Sequence, residues 1–144
     1  MCSSDLGNLS ERISAARGRP LKLSVRLPRS PQAAIELGFE VGVWLREGLV
    51  DLVVGSSTFL PDPDLPVAEW MRFCREHNPN LPFLPCLDCF ELRDAAAFRT
   101  LAARYRAGDA KGLYLFNAPY VGALDSDGRK HGEDTFAIIC EEGL

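Results

Sequence analysis

The sequence predicts an α/β fold made of parallel βα repeats, and three observations carry that prediction. Leu49 to Val54 is a short run rich in branched aliphatics, interrupted only by Asp51, that follows Gly48 and stops at Gly55-Ser56-Ser57. A strand apolar on both faces suits a parallel sheet covered by helices rather than a half-wetted antiparallel one. Three further segments repeat the pattern, so that strands begin roughly 30 residues apart, the length of a βαβ unit. Each is followed by a helical stretch, which implies right-handed crossovers. Two architectures fit: the C-terminal half of a (β/α)8 TIM barrel, strands five to eight, or an open doubly wound sheet. No glycine fingerprint follows any strand, which weakens a nucleotide-binding version of the second.

In order, Asn8 or Ser10 is expected to cap a short helix to about Arg17, stopped by Gly18-Arg19-Pro20. Leu21 to Leu27 alternates, with Leu21, Leu23, Val25 and Leu27 on one side and Lys22, Ser24 and Arg26 on the other, which is strand periodicity. Ser30 as cap and Pro31 at the first helical position open the next helix, which breaks near Gly38 and resumes to Glu47. After the strand at 49–54, a loop from Gly55 to Pro66 holds three prolines and three small hydroxyl residues, and loops of this length in compact domains are often functional. A helix then runs from Pro66 to about His77. Leu81 to Leu87 reads as the third strand despite Pro82 and Pro85, although a central strand must donate its amides. Glu91 to Ala107 carries a broad apolar stripe ended by Gly108, and Lys111 to Asn117 is the fourth strand.

A chain of 144 residues with 47% hydrophobic content can bury one core. A net charge of -4 and a pI near 5.2 leave no basic surplus for nucleic acid or an anionic membrane surface. No apolar stretch approaches the ~20 residues that span a bilayer. Residues 1–6, MCSSDL, read as a translated sequencing adapter of the kind carried by genes from metagenomic contigs; the alternative is an ordinary leader in which Asp5 caps a helix. On the first reading, residues 7–144 are a partial barrel domain truncated at both ends, its last residues EDTFAIICEEGL being a helix cut near its final turn.

The segment from Leu21 to Val54, with GLYLFN downstream, resembles the later half of uncharacterised bacterial glycosyl-hydrolase-like barrel proteins. The residues that carry the likeness are Val25, Arg26 and Pro28; Leu37, Gly38, Val41 and Trp44 to Asp51; and Tyr114 to Asn117. The resemblance covers most of residues 19 to 144 and implies a (β/α)8 barrel acting on carbohydrate, with glycoside hydrolysis implied by fold analogy alone. The family's acid segment on an earlier strand has no match here, so the main acid and base are expected in an N-terminal half outside this chain.

A glycosidase needs two carboxyl groups, about 5 Å apart for retention or about 6.5–9.5 Å for inversion, and a barrel places them at the C-terminal ends of strands. Asp51 opens its strand and belongs to the opposite, stability face. Asp88, one residue past the third strand, is the catalytic candidate; it also fits a helix cap. Arg26 is expected to face the pocket and bind a sugar hydroxyl or carboxylate, or else to pair with a neighbouring acid such as Asp88. Ser56, Ser57 and Thr58 could bind sugar or satisfy loop backbone. Asn117, on the face of Leu113 and Leu115, and Tyr120 would suit hydroxyls and a sugar face; they equally suit a turn and a core edge.

Trp44 and Trp70 lie in helices and read as packing residues. His77 and His131 are isolated and expected to be solvated, so no metal site is expected. Cys86 and Cys89 form a single CxxC, a weak signal for redox or metal chemistry. The expectation is a glycoside-hydrolase-like fragment without cofactor whose partner is a carbohydrate; a non-catalytic barrel that binds a sugar or another polar small molecule is the alternative.

Overall fold

Capping and turn residues set most element boundaries. The structure, a computed structural model, describes residues 3–57, 62–88 and 95–117. Its elements are α1 (Ser3–Arg17), β1 (Ser24–Leu27), α2 (Pro31–Glu36), α3 (Val41–Arg46), β2 (Leu52–Gly55), α4 (Val67–His77), β3 (Phe83–Asp88), α5 (Ala95–Ala107) and β4 (Tyr114–Phe116). The chain is therefore an α/β unit in which a four-stranded, all-parallel sheet alternates with helices.

Ser30 caps α2 as expected, its hydroxyl accepting from the Ala33 amide at 3.1 Å, with Pro31 following. Gly48 ends α3 at φ 66°, where a side chain would be strained. Two helix ends differ from expectation. α1 begins at Ser3, so neither Asn8 nor Ser10 caps it; Ser10 and Ser14 instead bond the backbone of Leu21. After α5 the left-handed residue is Asp109, at φ 71°. Gly108 is small for another reason: a Cβ there would come within 2.7 Å of the Val67 side chain.

The strand order is β1-β2-β3-β4, without reversal. Because registered neighbours point the same way, each sheet face can be read off the pairing. One face carries Val25, Leu27, Val53, Phe83, Leu87 and Leu115, and these join Ala34, Val41, Leu45, Trp70, Phe98, Leu101 and Tyr105 from the helices in a single hydrophobic cluster. Trp70 stacks on Phe83 with ring centroids 5.7 Å apart, the packing role expected of it. Gly55 leaves room for that stack, since a Cβ would lie 2.8 Å from Phe83 and 3.0 Å from Trp70.

β3 shows how prolines enter an interior strand. It pairs with β2 over Phe83–Pro85 and with β4 over Cys86–Asp88, so Pro85 stands where one partner hands over to the other. Pro82 precedes the strand and still accepts from the Val53 amide. At the N-terminal edge of the sheet, Asp51 accepts from Lys22 Nζ at 2.7 Å and from the Leu23 amide at 2.9 Å, tying β1 to β2. It is a local structural tie, as its strand-opening position implied.

His77 differs from the expected solvated histidine. It is half-buried, stacked on Phe73 at 4.3 Å, with Nδ1 2.9 Å from the Phe73 carbonyl. The close approach of Gly42 on α3, where a Cβ would meet Nε2 at 2.7 Å, holds the ring in place.

Candidate functional site

The second sheet face carries the chemistry. Alternation and register place Ser24 and Arg26 on it from β1, Leu52, Val54 and Ser56 from β2, Leu84, Cys86 and Asp88 from β3, and Tyr114 and Phe116 from β4. None of these strand residues belongs to the helix-packed cluster.

Arg26 gives this face its geometry. Its guanidinium carbon lies 3.9 Å from the centroid of the Phe116 ring. β1 and β4 are separated by two strands, and in a flat sheet three inter-strand spacings would hold them roughly 14 Å apart. The two long side chains therefore reach toward each other across the face, above Val54 and Cys86, which are buried between the flanking strands. Cation–π contacts of this kind contribute about 0.5–1 kcal/mol at exposed sites, and this one fixes the plane of the guanidinium.

At the C-terminal end of the same face Asp88 and Asn117 meet. Asp88 is the last residue of β3, not one residue beyond it, and only 4% exposed. Asn117 Nδ2 donates to its Oδ1 at 3.0 Å. Strand alternation alone would put Asn117 with Leu113 and Leu115 on the helix side. Its left-handed backbone, φ 58°, breaks the alternation and lets the amide reach across to Asp88.

Ser56 is 8% exposed, and its hydroxyl donates to the Ser57 carbonyl at 2.8 Å. Burial pushes the Cys86 thiol up, and Asp88 adds to the rise; Ser56 and Arg26 against the sulfur oppose it without cancelling it. Burial alone pushes Cys74 up to about 11. Both thiols are free and buried, the opposite of the low-pKa, accessible state that thiolate chemistry requires.

A cleft of about 510 Å3 opens where β1 and β2 end, within the range of small-molecule sites. Arg26, Ser56 and Ser57 line it, together with Arg29, Leu37 and Phe39. Arg29 also ties down the long loop: its Nε donates to Asp62 at 2.7 Å and an Nη to the Asp64 carbonyl at 2.6 Å, while its own carbonyl accepts from Trp70 Nε1 at 2.9 Å. Tyr105 Oη adds a hydrogen bond to the Asp62 carbonyl at 2.7 Å.

Of the sequence candidates, the structure thus brings Arg26, Ser56 and Ser57 into one cleft and Asp88 and Asn117 into one pair, the two linked through Cys86. Tyr120, Thr58, Cys89 and His131 lie outside the described residues. Sequence reasoning missed Arg29 and Phe39. Arg29 follows a strand end by two residues, a signal that could have found it; Phe39 reaches the cleft through the helix break at Gly38, for which no such rule exists. Among the described residues, no group of three His, Cys, Asp or Glu side chains is placed to hold a metal ion, and no helix is long and apolar enough to cross a membrane. Compared with known proteins, the chain matches no family model and no curated protein.

Proposed function

We propose that this chain is strands five to eight of a (β/α)8 barrel of the glycoside-hydrolase-like kind, and that the strand-end cleft holds a carbohydrate. What carries the reading is one arrangement: five polar side chains, Arg26, Ser56, Ser57, Asp88 and Asn117, gather at the C-terminal end of a parallel sheet. That end is where barrel enzymes place substrate and catalytic groups. The unreversed strand order and, among the described residues, a helix-packed cluster on one face of the sheet support a barrel segment over an open doubly wound sheet, whose strand order reverses and whose helices cover both faces.

In this reading Arg26 and the serines hold sugar hydroxyls, with Leu37 and Phe39 as apolar walls. Asp88 is the acid of this half, kept in place by Asn117, and its partner carboxylate comes from elsewhere in the barrel. A non-catalytic binding barrel is the second reading, favoured by one observation: among the described strand residues of the second sheet face, Asp88 is the lone carboxylate, where glycosidases use two.

The test is hydrolysis of a panel of aryl glycosides and polysaccharides by the full-length gene product, with binding measured in parallel. The expected result is a fall in kcat of at least about 100-fold in Asp88→Asn, in keeping with loss of a general acid, with sugar binding retained. Full turnover by Asp88→Asn removes that residue from the mechanism. Binding of a glycan that is never cleaved selects the second reading, and a protein that binds none overturns both.

A further inference from the structure

Among the described residues that line the cleft, one positive charge has no acidic partner, and this narrows the ligand. Among the described residues, two arginines line it, Arg26 and Arg29, and no aspartate or glutamate does. Arg29 is matched by Asp62 at 2.7 Å. Arg26 forms no ion pair with any described residue; its guanidinium lies instead on the Phe116 ring. The ring covers one side of the group and the Cys86 thiol takes part of its donor edge; the remaining N–H groups of the planar fork suit a carboxylate, which such a fork receives through two parallel hydrogen bonds.

We infer that the cleft selects a sugar acid, with the carboxylate of a uronic-acid unit bound edge-on by Arg26. The inference rests on the carbohydrate reading above and adds the charge of the substrate to it. A net charge of -4 gives the chain no general attraction for anions, so selectivity must come from this local group. One unmatched guanidinium suits a monoanion. A phosphate dianion would leave a charge unmatched, because Arg29 is already paired with Asp62. Ser56 and Ser57 supply oxygens for neighbouring hydroxyls, and the outward faces of Leu37 and Phe39, 68% and 39% exposed, offer apolar surface to the C–H face of a pyranose ring.

The experiment compares uronic-acid oligosaccharides with their methyl esters, which keep the shape and lose the charge, using titration calorimetry on the full-length gene product. Inorganic phosphate and a neutral glucan oligomer complete the panel. The free acids are expected to bind at least tenfold more tightly than the esters, with the preference falling as salt rises. Arg26→Gln should erase the preference, and Arg26→Lys should recover part of it; circular dichroism checks that both variants are folded, as the exposure of this side chain leads us to expect. Equal binding of acid and ester, or a preference that survives Arg26→Gln, overturns the sugar-acid inference and leaves the carbohydrate reading standing. Binding of the neutral glucan alone does the same. Binding of phosphate with no sugar bound overturns both, as does a folded protein that binds nothing in the panel.

Discussion

Asn117 ends β4 at φ 58°, and that single backbone angle decides which side of the sheet its amide serves. Asparagine is among the few side chains that tolerate this region. Asn117→Ala should strain the backbone and also remove one donor from the buried Asp88 carboxylate, a loss of about 1–3 kcal/mol. Asn117→Gly keeps the angle and loses only the donor, so urea denaturation should rank wild type above the glycine variant and glycine above alanine. If the glycine variant matches wild type, the hydrogen bond to Asp88 contributes nothing.

Asp51 gives a pH-dependent prediction at the same scale. Burial works to raise its pKa, but the Lys22 hydrogen bond, the Leu23 amide and the Lys22 charge together hold the carboxyl below its ordinary value. A group depressed on folding stabilises in full above its unfolded pKa, near 3.9, and that contribution is lost as pH falls through the lower folded value. The urea midpoint should therefore drop more steeply below about pH 4 in wild type than in Asp51→Asn. Parallel curves would show that the tie between β1 and β2 carries no net stability.

At the scale of elements, the Ser30 cap, the Gly48 helix end and the strand apolarity were legible because all are local, whereas the expected caps of α1 were not found. Ser30-Pro31 announced α2, and the structure supplies the predicted hydrogen bond. A six-residue helix has little propensity of its own, so Ser30→Ala should cost about 1 kcal/mol, measured by thermal or urea melts. No change would mean that packing of Ala34 alone holds α2. Boundaries were less legible. The second strand begins at Leu52 rather than Leu49, since Leu49 is engaged in closing α3 through the Trp44 carbonyl. Pro85 argued against an interior strand, and it is accommodated only because β3 changes partners there. Such a hand-over depends on the register of two other strands and leaves no mark in the local sequence.

At the scale of the whole chain, one face of the sheet packs on the helix cluster while the other carries the polar strand-end groups, and the described edges are β1 and β4. Unpaired strand edges beside exposed apolar groups such as Tyr114 favour pairing with other copies. The 144-residue chain expressed alone should sediment with a weight-average mass that rises with concentration. A single monomeric species across the series would argue that these edges are protected and would count against the barrel-segment reading.

By itself, the sequence determined that this is a parallel α/β protein with an aliphatic face toward its helices, and it placed Arg26, Ser56, Ser57 and Asp88 at or beside strand ends. Alternation and apolar runs are repeated every few residues, so they survive being read one segment at a time. Only the tertiary structure decided that Asn117 turns to Asp88, that Arg29 is matched by Asp62 while no described residue forms an ion pair with Arg26, and that Arg26 reaches Phe116 across two intervening strands. Cross-strand contacts and charge balance are properties of the whole sheet: they depend on which side chains from distant strands arrive at the same point.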